Sequence, residues 1–121
     1  MITSIKFVSI PVSDQDRALA FYTEKLGFKV VTDQQFGLGQ RWIELQVGGS
    51  PTRLVLFTPE GHEDRVGGVF NGALACDNVD KTYEELTRRG VEFAAPPKHE
   101  PWGSVAILKD PDGNQIALSS R

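Results

Sequence analysis

The stretch Asp110-Pro111-Asp112-Gly113-Asn114 separates two short apolar alternations, Ser104 to Lys109 and Gln115 to Ser119. Proline presets φ for a turn, glycine supplies a positive φ, and Asp and Asn bond their own backbone. The stretch therefore reads as a tight β-hairpin that sets strand register. Pairing Lys109 with Asn114 across it places Ile107 opposite Ile116 and Ala106 opposite Ala117.

Upstream, Trp102 to Lys109 is the strand entering the hairpin. Pro96 and Pro97 end a strand over Val91 to Ala95, Lys98 to Pro101 continue as loop, and the whole Pro-rich loop from Pro96 to Pro101 is able to act as rim or lid. Asp77 or Asn78 caps a helix from Val79 to about Arg89, with Tyr83 and Leu86 inward and Gly90 ending it. Phe70 to Cys76 is a strand before that helix. The order is β-α-β-β-β.

The first half repeats this order. Ile5 to Val12 is a strand, and Ser13 or Asp14 caps a helix whose apolar residues Ala18, Leu19, Phe21, Tyr22 and Leu26 recur at helical spacing. Gly27 ends it. Strands follow at Phe28 to Asp33, Arg41 to Val47 and Thr52 to Thr58, with a loop at Phe36-Gly37-Leu38-Gly39 and a turn at Gly48-Gly49-Ser50-Pro51. Asp14 and Asp77 are 63 positions apart, as are Gly27 and Gly90. The chain thus reads as one domain of residues 1–121, built from an internal repeat of about 1–58 and 70–121 with a polar linker at 59–69. A unit this small cannot bury its own sheet, so the two copies are expected to share a core.

Composition narrows the functional classes. The chain has 121 residues, a net charge of −3 and no Lys/Arg run, which argues against nucleic acid as a partner. Its apolar runs are too short to span a bilayer. The N-terminus lacks a charged region followed by an apolar one, so no signal peptide is expected. A single cysteine, Cys76, permits no intrachain disulfide, and a cytoplasmic protein is expected.

Alternation assigns the sheet faces. The more apolar side should lie under the helices, leaving Phe7 and Ser9, then Trp42, Glu44 and Gln46, then Arg53, Val55 and Phe57 on the open side of the first half. In the second half the open side is read as Asn71, Ala73 and Ala75, then Ser104, Ala106 and Leu108, then Gln115, Ala117 and Ser119. Pairing Val47 with Thr52 puts Glu44 opposite Val55, with Arg53 diagonal to Glu44.

Several stretches together carry a resemblance. They are Pro11-Val12-Ser13-Asp14, Arg17-Ala18-Leu19-Ala20-Phe21-Tyr22, Leu26-Gly27-Phe28, Cys76-Asp77-Asn78-Val79 and the turn from Lys109 to Asn114. In this order, with the repeat, the chain resembles the vicinal oxygen chelate superfamily, which includes glyoxalase I, bleomycin-resistance proteins, fosfomycin-resistance enzymes and extradiol dioxygenases. The resemblance implies an α+β fold of two βαβββ modules, the glyoxalase/bleomycin resistance/dihydroxybiphenyl dioxygenase-like fold. Its sheets curl into a cup that holds ligands, with helices outside. It also implies a homodimer. Function belongs to the site, not to the fold.

Metal-dependent members place His or Glu at four inward strand positions. Those positions are here Phe7, Val55, Asn71 and Ala117, none of them His, Glu, Asp or Cys. A transition metal needs three or four N, O or S donors, so the resemblance implies no metal of the family type, and no cofactor is expected. A displaced set of Glu44, His62 and His99 is the alternative.

The expected function is metal-free binding of a small organic ligand in the cup, as in bleomycin-resistance proteins. Phe7, Trp42, Phe57 and Trp102 offer an aromatic wall for a flat or cationic ligand. Glu44, Arg53 and Asn71 offer polar contacts, and Val55 and Ala117 complete the lining. The alternative is a lyase or isomerase, or a dioxygenase-type enzyme, with Glu44 as base or with the displaced metal site; Asn71 or Arg53 would then stabilise an oxyanion. A third reading is a subunit-interaction module. No Ser-His-Asp spacing points to a hydrolase. Cys76 reads as a core residue, and the turn aspartates read as turn formers.

Overall fold

β-branched and aromatic residues place β1 at Phe7–Pro11, β2 at Lys29–Gln35, β3 at Arg41–Gln46 and β4 at Arg53–Phe57. The second half adds β5 at Ala73–Ala75, β6 at Glu92–Glu100, β7 at Gly103–Lys109 and β8 at Gln115–Ser120. Helix α1 spans Gln15–Ala20 and runs on as a π-helical turn over Phe21–Lys25, and α2 spans Val79–Arg88. The structure is a computed structural model that describes residues 1–37 and 41–120. Leu38 and Gly39, part of the expected loop, lie outside the described residues.

The strands form two four-stranded mixed sheets of the same order, β1-β4-β3-β2 and β5-β8-β7-β6, each with one parallel pair. This is the α+β arrangement of two βαβββ modules. Among the described residues no strand pairing joins the two sheets. They meet instead through one hydrophobic core. Ile10, Tyr22, Leu45 and Leu56 of the first module pack in the same cluster as Leu86, Leu108, Ile116 and Leu118 of the second. No helix among the described residues is long and apolar enough to cross a membrane.

The helices begin where side chains satisfy the first free N–H groups. Asp14 caps α1 by accepting from Arg17 N, and Asn78, not Asp77, caps α2 by accepting from Lys81 N. The two caps are therefore 64 positions apart, while Gly27 and Gly90 remain 63 apart. The first helix takes up its extra residue in the π turn, where Leu26 N bonds Phe21 O.

The first expectations to fail concern β6 and the last hairpin, and each failure has a physical cause. First, Pro96 and Pro97 do not end β6, and Lys98 to Pro101 is not a free loop or lid. The strand runs through both prolines to Glu100. It can do so because β6 is an edge strand, with its register broken between Ala95 and Lys98. Second, the last hairpin closes on Lys109 and Gln115, one residue later than the Lys109–Asn114 pairing. Asp110 to Asn114 form a five-residue loop held by Asp110 N to Asn114 O and Gly113 N to Asp110 O, both 3.0 Å.

The slip turns β7 over. Ala106 and Leu108 face the core, opposite Leu118 and Ile116. Val105 and Ile107 take the open face beside Ser119 and Ala117. Asn71 also falls outside β5, which starts at Ala73. The first hairpin keeps its expected register, with Glu44 opposite Val55 and Leu45 opposite Leu54.

Candidate functional site

The open face of the first sheet gathers five of the expected residues. Phe7 opens β1, Trp42 and Glu44 lie on β3, and Arg53 and Val55 lie on β4. They share a face because Ile10, Ile43, Leu45, Leu54 and Leu56, at the intervening positions, are drawn into the core. The Phe7 and Trp42 rings meet edge to face, 5.4 Å between centroids. That geometry suits the ring quadrupoles and fixes both rings. Val55, level with Ser9 and Glu44, is fully buried beneath them.

Glu44 is the polar centre of this face. Trp42 Nε1 donates to its Oε1 at 3.2 Å. Arg53 Nη1 stands 3.8 Å from its Oε2, close enough for ionic attraction but beyond hydrogen-bonding distance. The side chains keep 20% (Glu44) and 30% (Arg53) of their exposure, so solvent reaches both groups. The arrangement presents an aromatic corner, an acceptor oxygen and a guanidinium in one patch.

Phe57 sits at the far end of the same face, closing β4 level with Pro11, and is half-buried. The remaining expected residues lie elsewhere. Ala117 lies on the second sheet between Ala73 and Ile107. Trp102 occupies the turn between β6 and β7, well exposed, and joins β5 and Ser119 around an open groove of about 450 Å³. Asn71 is exposed on the segment before β5. The four aromatic residues therefore do not make one wall: Phe7 touches Trp42, and Trp102 belongs to the other sheet.

A second concavity of about 450 Å³ sits beside α1, lined by Gln15, Asp33, Gln35 and Arg41. Its charges are already spent on one another. Arg41 bonds both oxygens of Asp33, at 2.8 and 2.9 Å, and Asp16 at 2.6 Å. The guanidinium bonds hold Asp33 below the usual carboxylate range.

The displaced metal set does not assemble. Glu44 is on the first sheet, His62 stands ahead of a short 3₁₀ turn at Glu63–Arg65, and His99 is on β6. Among the described residues no three His, Cys, Asp or Glu side chains come together as a metal would require.

Two groupings escaped the sequence. On the helix side of the second sheet, Ser104 Oγ lies 2.7 Å from His99 Nδ1, and His99 Nε2 lies 3.4 Å from Asp80 Oδ1. The grouping ties the tip of β6 and β7 to α2. Its histidine and aspartate side chains are 66% and 54% exposed, so water competes for each bond. No regular spacing announces it.

The second grouping is the turn itself. Asp110 accepts from Tyr22 OH at 2.8 Å, from Asn114 Nδ2 at 2.9 Å, and from the backbone N–H groups of Asp112 and Asn114. Asn114 Nδ2 also donates to Pro11 O at 2.9 Å. Asp112 accepts from Ser13 N, Ser13 Oγ and Arg17 Nη2. The turn aspartates thus clamp the second module to the first, beyond shaping their own loop. Burial, then the neighbouring Asp110 charge and its hydrogen bond, push the Tyr22 hydroxyl far above the ordinary tyrosine range.

Comparison with known proteins agrees with this architecture. Residues 4–118 match the model of the Glyoxalase/Bleomycin resistance protein/Dioxygenase superfamily. The uncharacterized protein YetH of Bacillus subtilis (strain 168) is 35% identical over 121 residues, 98% of each chain. A superfamily member from Sphaerobacter thermophilus DSM 20745 is 36% identical with a TM-score of 0.89, over 99% of this chain and 98% of its own. TnmS3, an antibiotic binding protein from Streptomyces sp. CB03234, is 38% identical with a TM-score of 0.86, over 98% of this chain and 96% of its own. With its paired modules, its open sheet faces and this match along nearly its whole length, the chain belongs to the glyoxalase/bleomycin resistance protein/dioxygenase superfamily.

Proposed function

We propose that the protein binds a small, flat organic ligand without a metal, on the open face that carries Phe7, Trp42, Glu44, Arg53 and Val55. The observation that carries this reading is the edge-to-face Phe7–Trp42 corner set beside the partly buried, solvent-reached Glu44. An aromatic surface with few polar groups is what a small-molecule site needs. The likeness to an antibiotic binding protein at 38% identity supports the same reading. Binding is favoured over catalysis because, of the two expected oxyanion partners of Glu44, Asn71 is an exposed residue ahead of β5 in the other module, and Arg53 stands 3.8 Å from the Glu44 carboxylate itself, where its charge is set against that of the base.

The protein is read as a cytoplasmic homodimer. Strands β1 and β5 each keep an unpaired edge among the described residues, and Ile5, Phe7, Val8 and Trp102 expose apolar surface. A second copy would cover these edges and give each open face a facing wall.

Tryptophan fluorescence with a panel of flat aromatic compounds tests the reading. Saturable quenching should survive Trp102→Phe and metal chelation and disappear in Trp42→Phe. Quenching that needs an added divalent metal, or that is lost only with Trp102, would contradict it.

A further inference from the structure

The charges beside the aromatic corner define the polar edge of the ligand. Glu44 Oε1 is occupied by the Trp42 indole N–H at 3.2 Å. Among the described residues, Oε2 accepts no hydrogen bond and the Arg53 guanidinium donates none. An open acceptor and an open set of donors therefore stand side by side, 3.8 Å apart. Both groups still touch solvent. A ligand lying on Phe7 and Trp42 would strip that water, and each charge must then find a partner.

The charge balance excludes the simplest partners. A cationic ligand would gain Glu44 but face the Arg53 guanidinium at almost the same distance. A carboxylate would gain Arg53 and face Glu44. The patch as a whole is neutral, so it favours a neutral ligand. Such a ligand satisfies both groups if it offers one donor and one acceptor on adjacent atoms. The N and O of a primary amide or lactam are about 2.2 Å apart by standard bond geometry. Two hydrogen bonds of about 2.9 Å then splay from that edge to atoms set 3.8 Å apart.

We infer that the site selects neutral flat ligands bearing an amide-like donor–acceptor edge, with the donor on Glu44 Oε2 and the acceptor on Arg53. This inference rests on the proposed site being the binding site. It adds that Glu44 and Arg53 act as a pair in recognition, and that Glu44 alone is not a cation receptor.

Calorimetric titration with four naphthalene probes separates the two claims. Naphthalene-2-carboxamide should bind at least about tenfold more tightly than 2-methylnaphthalene, since two bonds to charged groups are gained. The 2-naphthylmethylammonium and naphthalene-2-carboxylate ions should each bind more weakly than the amide. In the paired variant Glu44→Leu/Arg53→Leu, with its fold checked by circular dichroism, the advantage of the amide over 2-methylnaphthalene should vanish. Equal binding of amide and hydrocarbon, or preference for either ion, would overturn the inference while leaving the aromatic site in place. Survival of the amide's advantage in the paired variant would also overturn it. Failure of all four probes to bind would remove the site itself, and the inference with it.

Discussion

The hydroxyl of Tyr22 donates to the carboxylate of Asp110 at 2.8 Å, across 88 positions of sequence. One residue belongs to the first helical segment and the other to the last hairpin. Both are buried, so the bond fastens module to module where water cannot compete.

Tyr22→Phe keeps the packing of the ring and removes one donor. It should cost about 1–2 kcal/mol. Asp110→Ala leaves Tyr22 OH and two backbone N–H groups without their acceptor and takes one of the two acceptors of Asn114 Nδ2, and should cost roughly 3 kcal/mol or more. Urea denaturation measures both. Equal and small effects would mean that the turn is only a connector.

The same bond makes stability sensitive to alkali. Burial and the Asp110 charge favour neutral Tyr22 in the folded state, raising its pKa above that of the unfolded chain. Its contribution is complete below the unfolded value of about 10 and falls as pH rises beyond that point, because only the unfolded state then releases the proton. Urea midpoints between pH 8 and 11 should fall more steeply in the wild type than in Tyr22→Phe. Parallel curves would contradict the assignment.

Two glycines near the clamp should respond differently to alanine. Gly113 has φ +82 with open space where a Cβ would go, so Gly113→Ala should cost about 1–2 kcal/mol of backbone strain. Gly67 has φ +87, and a Cβ there would lie 2.7 Å from the backbone oxygen of Asp112. Its N–H also donates to Asn114 Oδ1 at 2.8 Å. Gly67→Ala should therefore destabilise more than Gly113→Ala in the same urea assay, and the reverse order would show that linker and turn are not packed together.

The fold was legible where local chemistry and periodicity agree. Asp14, Gly27, Asn78 and Gly90 bracket the helices, and Ile43 and Leu45 alternate with the polar Glu44 and Gln46. The Gly48–Pro51 turn sets the first register, so the diagonal Glu44–Arg53 pair is legible in the sequence itself. Alternation fails at Val105-Ala106-Ile107-Leu108, where all four residues are apolar and either face could be buried. Register there hung on turn length alone, and one residue in the Asp110–Asn114 loop reversed it. Pro96 and Pro97 misled because strand order, which makes β6 an edge, is not a local property. The Tyr22–Asp110 clamp was invisible for the same reason: side chains 88 positions apart carry no spacing signal.

The most direct test of a metal-free aromatic site is a titration followed by heteronuclear NMR on chelator-treated protein. Naphthalene-2-carboxamide is the probe, and the reporter is the Trp42 indole N–H, which is held 3.2 Å from Glu44 Oε1. The account predicts saturable shifts of that resonance and of the Phe7 and Val55 amides without any added metal. Shifts confined to residues around Trp102, or shifts that appear only once zinc or nickel is supplied, would contradict it.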